Sequence, residues 1–268
     1  MRFVKKALKS ILAFFGYIPY KISKPMVSLD TYAHLADAFE QSLYDLGRVI
    51  PHNPKRAHFL ARLIGTQPAE AYHIIHALHA THKIRGAVCE FGIADGETSA
   101  LMANEIVDTT RILHLFDSFA GLSAPTKEDV LKDDIFSLGS IEAYTARMAF
   151  PEEDVLSRLK SVPFPKDRFV IHKGFIEEVL KVDTTLPDAV SMAYVDFDFY
   201  EPIVAALQFL HTKTVAGSII IVDDYDFFST GAKTAVDEFC ALTNREKQHY
   251  RCTIPDTRYG HFAILQRV

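Results

Sequence analysis

The sequence predicts an α/β fold built on a doubly wound, mostly parallel seven-stranded sheet whose last strand runs antiparallel. Three observations predict it. From about residue 85 onward, short apolar runs alternate with helical stretches, the pattern of parallel strands joined by right-handed crossovers. Two of these runs end in acidic pairs, in Tyr194-Val195-Asp196-Phe197-Asp198 and in Ile220-Ile221-Val222-Asp223-Asp224. The last two runs are separated by Pro255-Asp256-Thr257-Arg258-Tyr259-Gly260, turn chemistry that reads as a hairpin and reverses the final strand.

Residues 1–84 read as a helical N-terminal arm and extension, and residues 85–268 as the sheet domain. In the arm, Arg2, Lys5, Lys6, Lys9, Lys21 and Lys24 flank an apolar stretch at 11–20. That stretch is far short of the ~20 apolar residues that span a bilayer. No small-residue cleavage site follows it. The arm suits either packing against the domain or a partner subunit of a homo-oligomer, or peripheral contact with an anionic membrane surface. Helical patterns follow at 32–48, 56–64 and 69–82. The expected strands are 86–91, 111–116, 168–172, 191–195, 218–222, 250–254 and 261–266, with helices at 98–107, 176–180, 202–210 and 232–242. One connection, 120–167, is abnormally long and holds helical patterns at 141–148 and 151–159. An insertion at a strand end is expected to cover a site as a lid.

Bulk composition narrows the class. The chain has 268 residues, 49% of them hydrophobic, enough for one well-buried core. A formal charge of −5 argues against a nucleic-acid binder, which carries a basic face. The three cysteines, Cys89, Cys240 and Cys252, form no CxxC and no zinc spacing, and read as reduced thiols of a cytoplasmic protein. His73, His76, His79 and His82 recur every three residues on one helix; without a carboxylate or Cys in a recognised motif they read as a surface or interface row. His114 and His172, in or at the end of strands, read as core histidines with partners.

The first strand ends in Cys89-Glu90-Phe91-Gly92-Ile93-Ala94-Asp95-Gly96-Glu97-Thr98-Ser99. Gly92 and Gly96 permit sharp turns and a close approach to a ligand. The helix beginning at Thr98 and Ser99 directs free N–H groups toward it. This loop lacks the Gly-x-Gly-x-x-Gly of dinucleotide binders. It suits a nucleoside with an amino-acid tail, whose ammonium Glu90 would meet. Asp117, ending the second strand with Ser118 beside it, is placed for ribose hydroxyls. Phe175, after the third strand, is placed for an adenine ring.

In parallel α/β sheets, functional groups collect outside the carboxyl ends of the strands. Asp196, Asp223 and Asp224 are expected to converge there, with no Lys or Arg nearby in sequence. Packed carboxylates repel, and a divalent cation with oxygen ligands removes the conflict. Asp198 and Asp226 suit solvated or helix-capping roles as well. Tyr200 and Tyr225 suit a pocket lining and simple packing equally.

Four motifs in order, Glu90-Phe91-Gly92 with Gly96, Phe116-Asp117-Ser118-Phe119-Ala120-Gly121-Leu122, Val195-Asp196-Phe197-Asp198-Phe199-Tyr200-Glu201-Pro202, and Val222-Asp223-Asp224-Tyr225 with Ala235-Val236-Asp237-Glu238-Phe239, resemble the macrocin O-methyltransferase family over about residues 85–240. The resemblance implies a Rossmann-like class I methyltransferase fold, S-adenosylmethionine as methyl donor, and a Mg²⁺ ion on Asp196, Asp223 and Asp224. It also implies a sugar or glycosylated natural product as the hydroxyl substrate. Ser218 stands where the family usually has a glycine, and Ala120 and Ser123 depart from its loop pattern. Metal-dependent catechol methyltransferases place a lysine three residues after the first metal aspartate, where this chain has Phe199, so the proton acceptor falls to Asp196 or Asp198. The alternatives are an NAD-dependent or nucleotide-sugar oxidoreductase, and a non-catalytic S-adenosylmethionine-binding protein.

Overall fold

A computed structural model describes residues 50–268, apart from 54, 246–248 and 258–259. The expected arm and the helix at 32–48 lie outside the described residues. Helices α1 (Arg56–Leu60) and α2 (Pro68–Ala80) precede the sheet. Then come β1 (Ala87–Phe91), α3 (Glu97–Glu105), β2 (Leu113–Asp117), α4 (Glu152–Lys160), β3 (Phe169–Lys173), α5 (Ile176–Val182), β4 (Val190–Val195), α6 (Tyr200–Lys213), β5 (Thr214–Val222), α7 (Gly231–Arg245), β6 (Tyr250–Thr253) and β7 (Ala263–Arg267).

The seven strands lie in the order β3-β2-β1-β4-β5-β7-β6. β1 to β5 pair in parallel, and β7 runs antiparallel between β5 and β6. The strand order reverses between β1 and β4, which makes their carboxyl ends the crevice where ligands of such sheets bind. Every residue of β4 is buried, the continuous apolar run expected of a central parallel strand. Strand alternation divides the core. Val88, Met192 and Tyr194 face a layer with Phe59, Ile74, Leu101 and Val155 from α1 to α4. Cys89, Phe91, Ala193 and Val195 face a second layer carrying α5, α6 and α7. The helices before residue 85 thus share the main core.

β5 begins at Thr214, earlier than the expected 218, because its register against β4 shifts between Val190 and Met192. Ser218 closes that irregularity: its hydroxyl donates to the Val190 carbonyl at 2.9 Å and accepts from the Val215 N–H at 3.0 Å. Within the long insertion the expected helix at 141–148 shrinks to a 3₁₀ turn at Glu142–Tyr144. Ala146 and Met148 take positive φ of 58°, and Ala146 and Arg147 pair with Leu122 instead of continuing a helix. The second insertion helix forms as α4, with Glu152, Glu153 and Asp154 in its first turn and Arg158 and Lys160 in its last, complementing the helix dipole. Among the described residues no helix is long and apolar enough to cross a membrane.

Candidate active site

β1 and β4 approach so closely at their carboxyl ends that the site is built on backbone contacts first. The Asp196 N–H donates to the Phe91 carbonyl at 2.7 Å, and the Asp223 N–H to the Val195 carbonyl at 2.8 Å. A Cβ on Gly92 would stand 1.8 Å from the Asp196 carbonyl oxygen. Gly92 is therefore required by the neighbouring strand before any ligand is considered. Gly96 holds φ at 86° to start α3, and α4 of the insertion packs Val155 against it, 3.0 Å from where a Cβ would stand.

Asp196, Asp198 and Asp224 each bring a carboxylate oxygen to a common point, these atoms lying within 4.8 Å of one another. Asp198 and Asp224 adopt left-handed backbone, φ 61° and 56°, a conformation aspartate tolerates better than most residues. Burial, first, and then the other aspartates push the carboxyls of Asp196 and Asp224 well above the ordinary range. Burial and Asp196 do the same to Asp198. Among the described residues no lysine or arginine acts on the three. Their donor chemistry, hard oxygens with uncompensated charge, fits a divalent cation such as Mg²⁺.

Asp223, expected in this trio, adjoins it, sharing the Tyr194 hydroxyl with Asp196, which lies 3.4 Å from that hydroxyl. Tyr194 donates to Asp223 Oδ2 at 2.9 Å, and lies 3.2 Å from Glu70 Oε1. Glu70 comes from α2, is buried, and has its carboxyl raised by desolvation and by Asp223. Asp198, expected to be equally at home solvated or capping, is buried and part of the trio. Asp226 is the exposed one, and pairs with Lys132 at 2.6 Å. The sequence reading missed Glu70 and Tyr194. Tyr194 carried a signal, since it stands two residues before Asp196 and strand periodicity puts both on one face. Glu70 carried none, because it meets Tyr194 across 124 positions of chain.

On the glycine-loop side, Glu90 is completely buried. Its Oε2 accepts a short hydrogen bond from the Ser99 hydroxyl, whereas its Oε1 is buried without a partner among the described residues. Burial raises this carboxyl to about 8. An orphaned buried acceptor is rare and points to a missing donor; a ligand ammonium matches it. Asp117 spends both oxygens on loop backbone: Oδ2 accepts from Ile93 N–H at 2.7 Å and Ala94 N–H at 3.3 Å, and Oδ1 from Phe119 N–H at 2.7 Å. Ser118 caps its own turn, donating to the Gly121 carbonyl at 3.0 Å. The Thr98 hydroxyl lies 3.3 Å from that of Thr66. Phe175 remains 38% exposed at the start of α5, open to a stacking partner.

The insertion clasps both halves. Arg158 of α4 donates to Asp95 and to Glu97 at 2.9 Å each. Lys132 N–H bonds the Phe228 carbonyl at 2.8 Å, and Leu131 bridges Ser229, laying the insertion along the loop that follows Asp224. Asp129, buried, accepts from the Tyr200 N–H at 2.9 Å at the start of α6. Tyr200 and Tyr225 direct their hydroxyls to Glu238 and Asp237 of α7, at 2.6 and 2.9 Å. The core histidines have their partners: His172 bridges His114 at 2.9 Å and Asp183 at 2.7 Å. In the helical row, His79 reaches Glu105 at 2.9 Å and His73 packs on Phe262.

A family model described as macrocin O-methyltransferase (TylF) matches residues 26–250. Among solved structures, the O-methyltransferase NovP is 20% identical, covering 90% of this chain and 98% of its own at a TM-score of 0.62. The calicheamicin methyltransferase CalS11 is 20% identical, covering 91% of this chain and 98% of its own at 0.59. An O-methyltransferase from Bacillus cereus, solved in complex with SAH, is 12% identical and covers 89% of this chain and all of its own at 0.51. No curated protein sequence matches. At these identities the structural likenesses show a shared fold, that of class I O-methyltransferases with a Rossmann-like sheet.

Proposed function

The chain belongs to the macrocin O-methyltransferase family and is an O-methyltransferase, and from that premise we propose that it moves a methyl group from S-adenosylmethionine to a hydroxyl of a sugar or glycosylated natural product, with Mg²⁺ in its acidic cluster. The observation that carries the metal half is the meeting of Asp196, Asp198 and Asp224, with no lysine or arginine acting on them among the described residues. Asp196 and Asp224 are common to the family pattern and to the geometry. Asp198 is the third donor of that group, and Asp223 adjoins it through Asp224 and Tyr194. CalS11 is described as a TDP-rhamnose 3'-O-methyltransferase, which supports a sugar hydroxyl as the acceptor class.

Glu90 offers its free oxygen to the ammonium of the donor's amino-acid tail, and Ser99 holds its other oxygen in place. Asp117 organises the two loops that frame the ribose, and Phe175 presents a ring for adenine. Asp196, Asp198 and Asp224 would hold Mg²⁺, which would supply Lewis acidity toward the acceptor hydroxyl. Asp196 takes the hydroxyl proton in this scheme, with Asp198 as the other acceptor. The insertion, latched by Arg158, limits water at the transfer site and aligns acceptor with donor, the source of much of the rate in such displacements.

A thermal-shift matrix tests this reading. S-adenosylhomocysteine or NAD is added, each with Mg²⁺ or with EDTA. Ligand at 100 times its dissociation constant adds ~2.7 kcal/mol of stability. A shift with S-adenosylhomocysteine is expected, together with a Mg²⁺ effect absent from Asp224→Asn. Methyl transfer to a panel of sugar nucleotides then identifies the acceptor. A shift with NAD alone sinks the proposal.

A further inference from the structure

The phenol of Tyr194 stands where two strands deliver their acids, and it takes no part in the transfer scheme. Tyr194 lies on β4 and Asp196 just beyond it, two residues on, so strand alternation puts both on one face. The ring is buried in the core layer that includes Ile74, Leu78, Ile221 and Phe262. Its hydroxyl reaches carboxylates from three different elements. It lies 2.9 Å from Asp223 Oδ2, 3.4 Å from Asp196 Oδ2 and 3.2 Å from Glu70 Oε1. Asp223 directly follows β5, and Glu70 sits in the first turn of α2. A phenylalanine would fill the same core space, so packing does not account for the hydroxyl. The terminal torsion of an aspartate is broad and roughly two-fold, so its partners decide where the carboxylate plane points. The hydroxyl has one hydrogen. The shortest contact gives it to Asp223, with Asp196 Oδ2 beside the same donor. One group thus ties the acid at the end of β4 to the acid at the end of β5.

We propose that Tyr194 is a positioning residue for the cation: its hydroxyl fixes the carboxylate planes of Asp223 and Asp196, and Glu70 of α2 holds the hydroxyl in that direction. The inference rests on the reading of the acidic cluster as a Mg²⁺ site. Asp196 is the member of that cluster beside the phenol, and Asp223 is joined to a second member, Asp224, by the chain itself. Donors whose orientation is set before the ion arrives leave less ordering to be done on binding. Groups that orient metal ligands from behind commonly account for about 10–100-fold in metal affinity. Through Glu70, α2 acts on the cluster without joining the three aspartates that meet there.

The full chain is titrated with Mn²⁺, and the free ion is followed by its electron paramagnetic resonance signal, with no acceptor and no turnover. Tyr194→Phe should raise the Mn²⁺ dissociation constant by about 10–100-fold. Its affinity for S-adenosylhomocysteine, measured by calorimetry in EDTA, should stay at the parent value, which also shows that the variant is folded. Glu70→Gln keeps the side-chain volume and a hydrogen-bonding partner for the hydroxyl, and should bind Mn²⁺ more tightly than Tyr194→Phe does. A phenol with a purely structural role would change stability and leave the Mn²⁺ constant of Tyr194→Phe at the parent value; that result would overturn the proposal. So would loss of Mn²⁺ binding in Glu70→Gln while Tyr194→Phe retains it. A parent chain that takes up no Mn²⁺ would overturn the metal reading itself, and this inference with it.

Discussion

Gly92→Ala distinguishes two reasons for a glycine at the end of β1. A Cβ there would stand 1.8 Å from the Asp196 carbonyl oxygen and 2.8 Å from its carbonyl carbon. Neither atom is the end of a flexible side chain. Both belong to a backbone held to Phe91 by a 2.7 Å hydrogen bond, so relief requires opening the β1–β4 pair. The φ of 83° adds a left-handed cost of about 1–2 kcal/mol for alanine. Overpacking a site that cannot yield adds about 1–3 kcal/mol or more. Together these predict a loss of about 2–5 kcal/mol; at about 2–4 °C per kcal/mol for a domain near this size, Tm should fall by about 4–20 °C. Differential scanning fluorimetry without ligand measures the loss. Titration with S-adenosylhomocysteine, well below the variant's midpoint, measures cofactor affinity separately. A variant that melts like the parent but no longer binds S-adenosylhomocysteine would refute the backbone argument, and would return Gly92 to a purely ligand-approach role.

Three further outcomes are expected. In EDTA, the raised carboxyls of Asp196, Asp198 and Asp224 contribute stability while they hold their protons, below the unfolded value of about 3.9, and lose it as pH rises through their folded values. Metal-free Tm should therefore decline from acid toward neutral pH, and Asp198→Asn should flatten that decline and weaken the Mg²⁺ response; an unchanged slope would count against the cluster. Glu105→Ala removes the carboxylate that pairs with the buried Arg56 guanidinium at 2.6 Å, and should cost about 3–5 kcal/mol in chemical denaturation. A loss under about 1 kcal/mol would show that the pair is not what fixes α1 to α3. Arg158→Ala releases α4 from Asp95 and Glu97, partly exposed pairs contributing about 1 kcal/mol or less each. Amide exchange should quicken in residues 152–160 while β1 and β4 stay protected, and uniform exchange would argue against a latched lid.

Local patterns carried the architecture, because strand and helix periodicities are properties of neighbouring residues. Runs such as Val190–Val195 and the acidic pairs that follow the central strands were legible for that reason. So were the strand-end acids Glu90 and Asp117, whose positions follow from chain order. Meetings across the chain were not legible. Asp223 and Asp224 are consecutive, and with the backbone turn at Asp224, φ 56°, it is Asp224 that meets Asp196 and Asp198 at the common point while Asp223 accepts from Tyr194. Glu70 reaches Tyr194 only because α2 packs on the α1–α4 face of the sheet. Gly92 is demanded by the carbonyl of a strand more than 100 residues away, an approach set by the β1–β4 pairing. What the sequence determined by itself was the order of elements and the kinds of chemical groups at their ends, since both are written in residues close along the chain. Which of those groups touch was decided by tertiary structure, because side-chain direction depends on register, backbone twist and the face against which each element is buried.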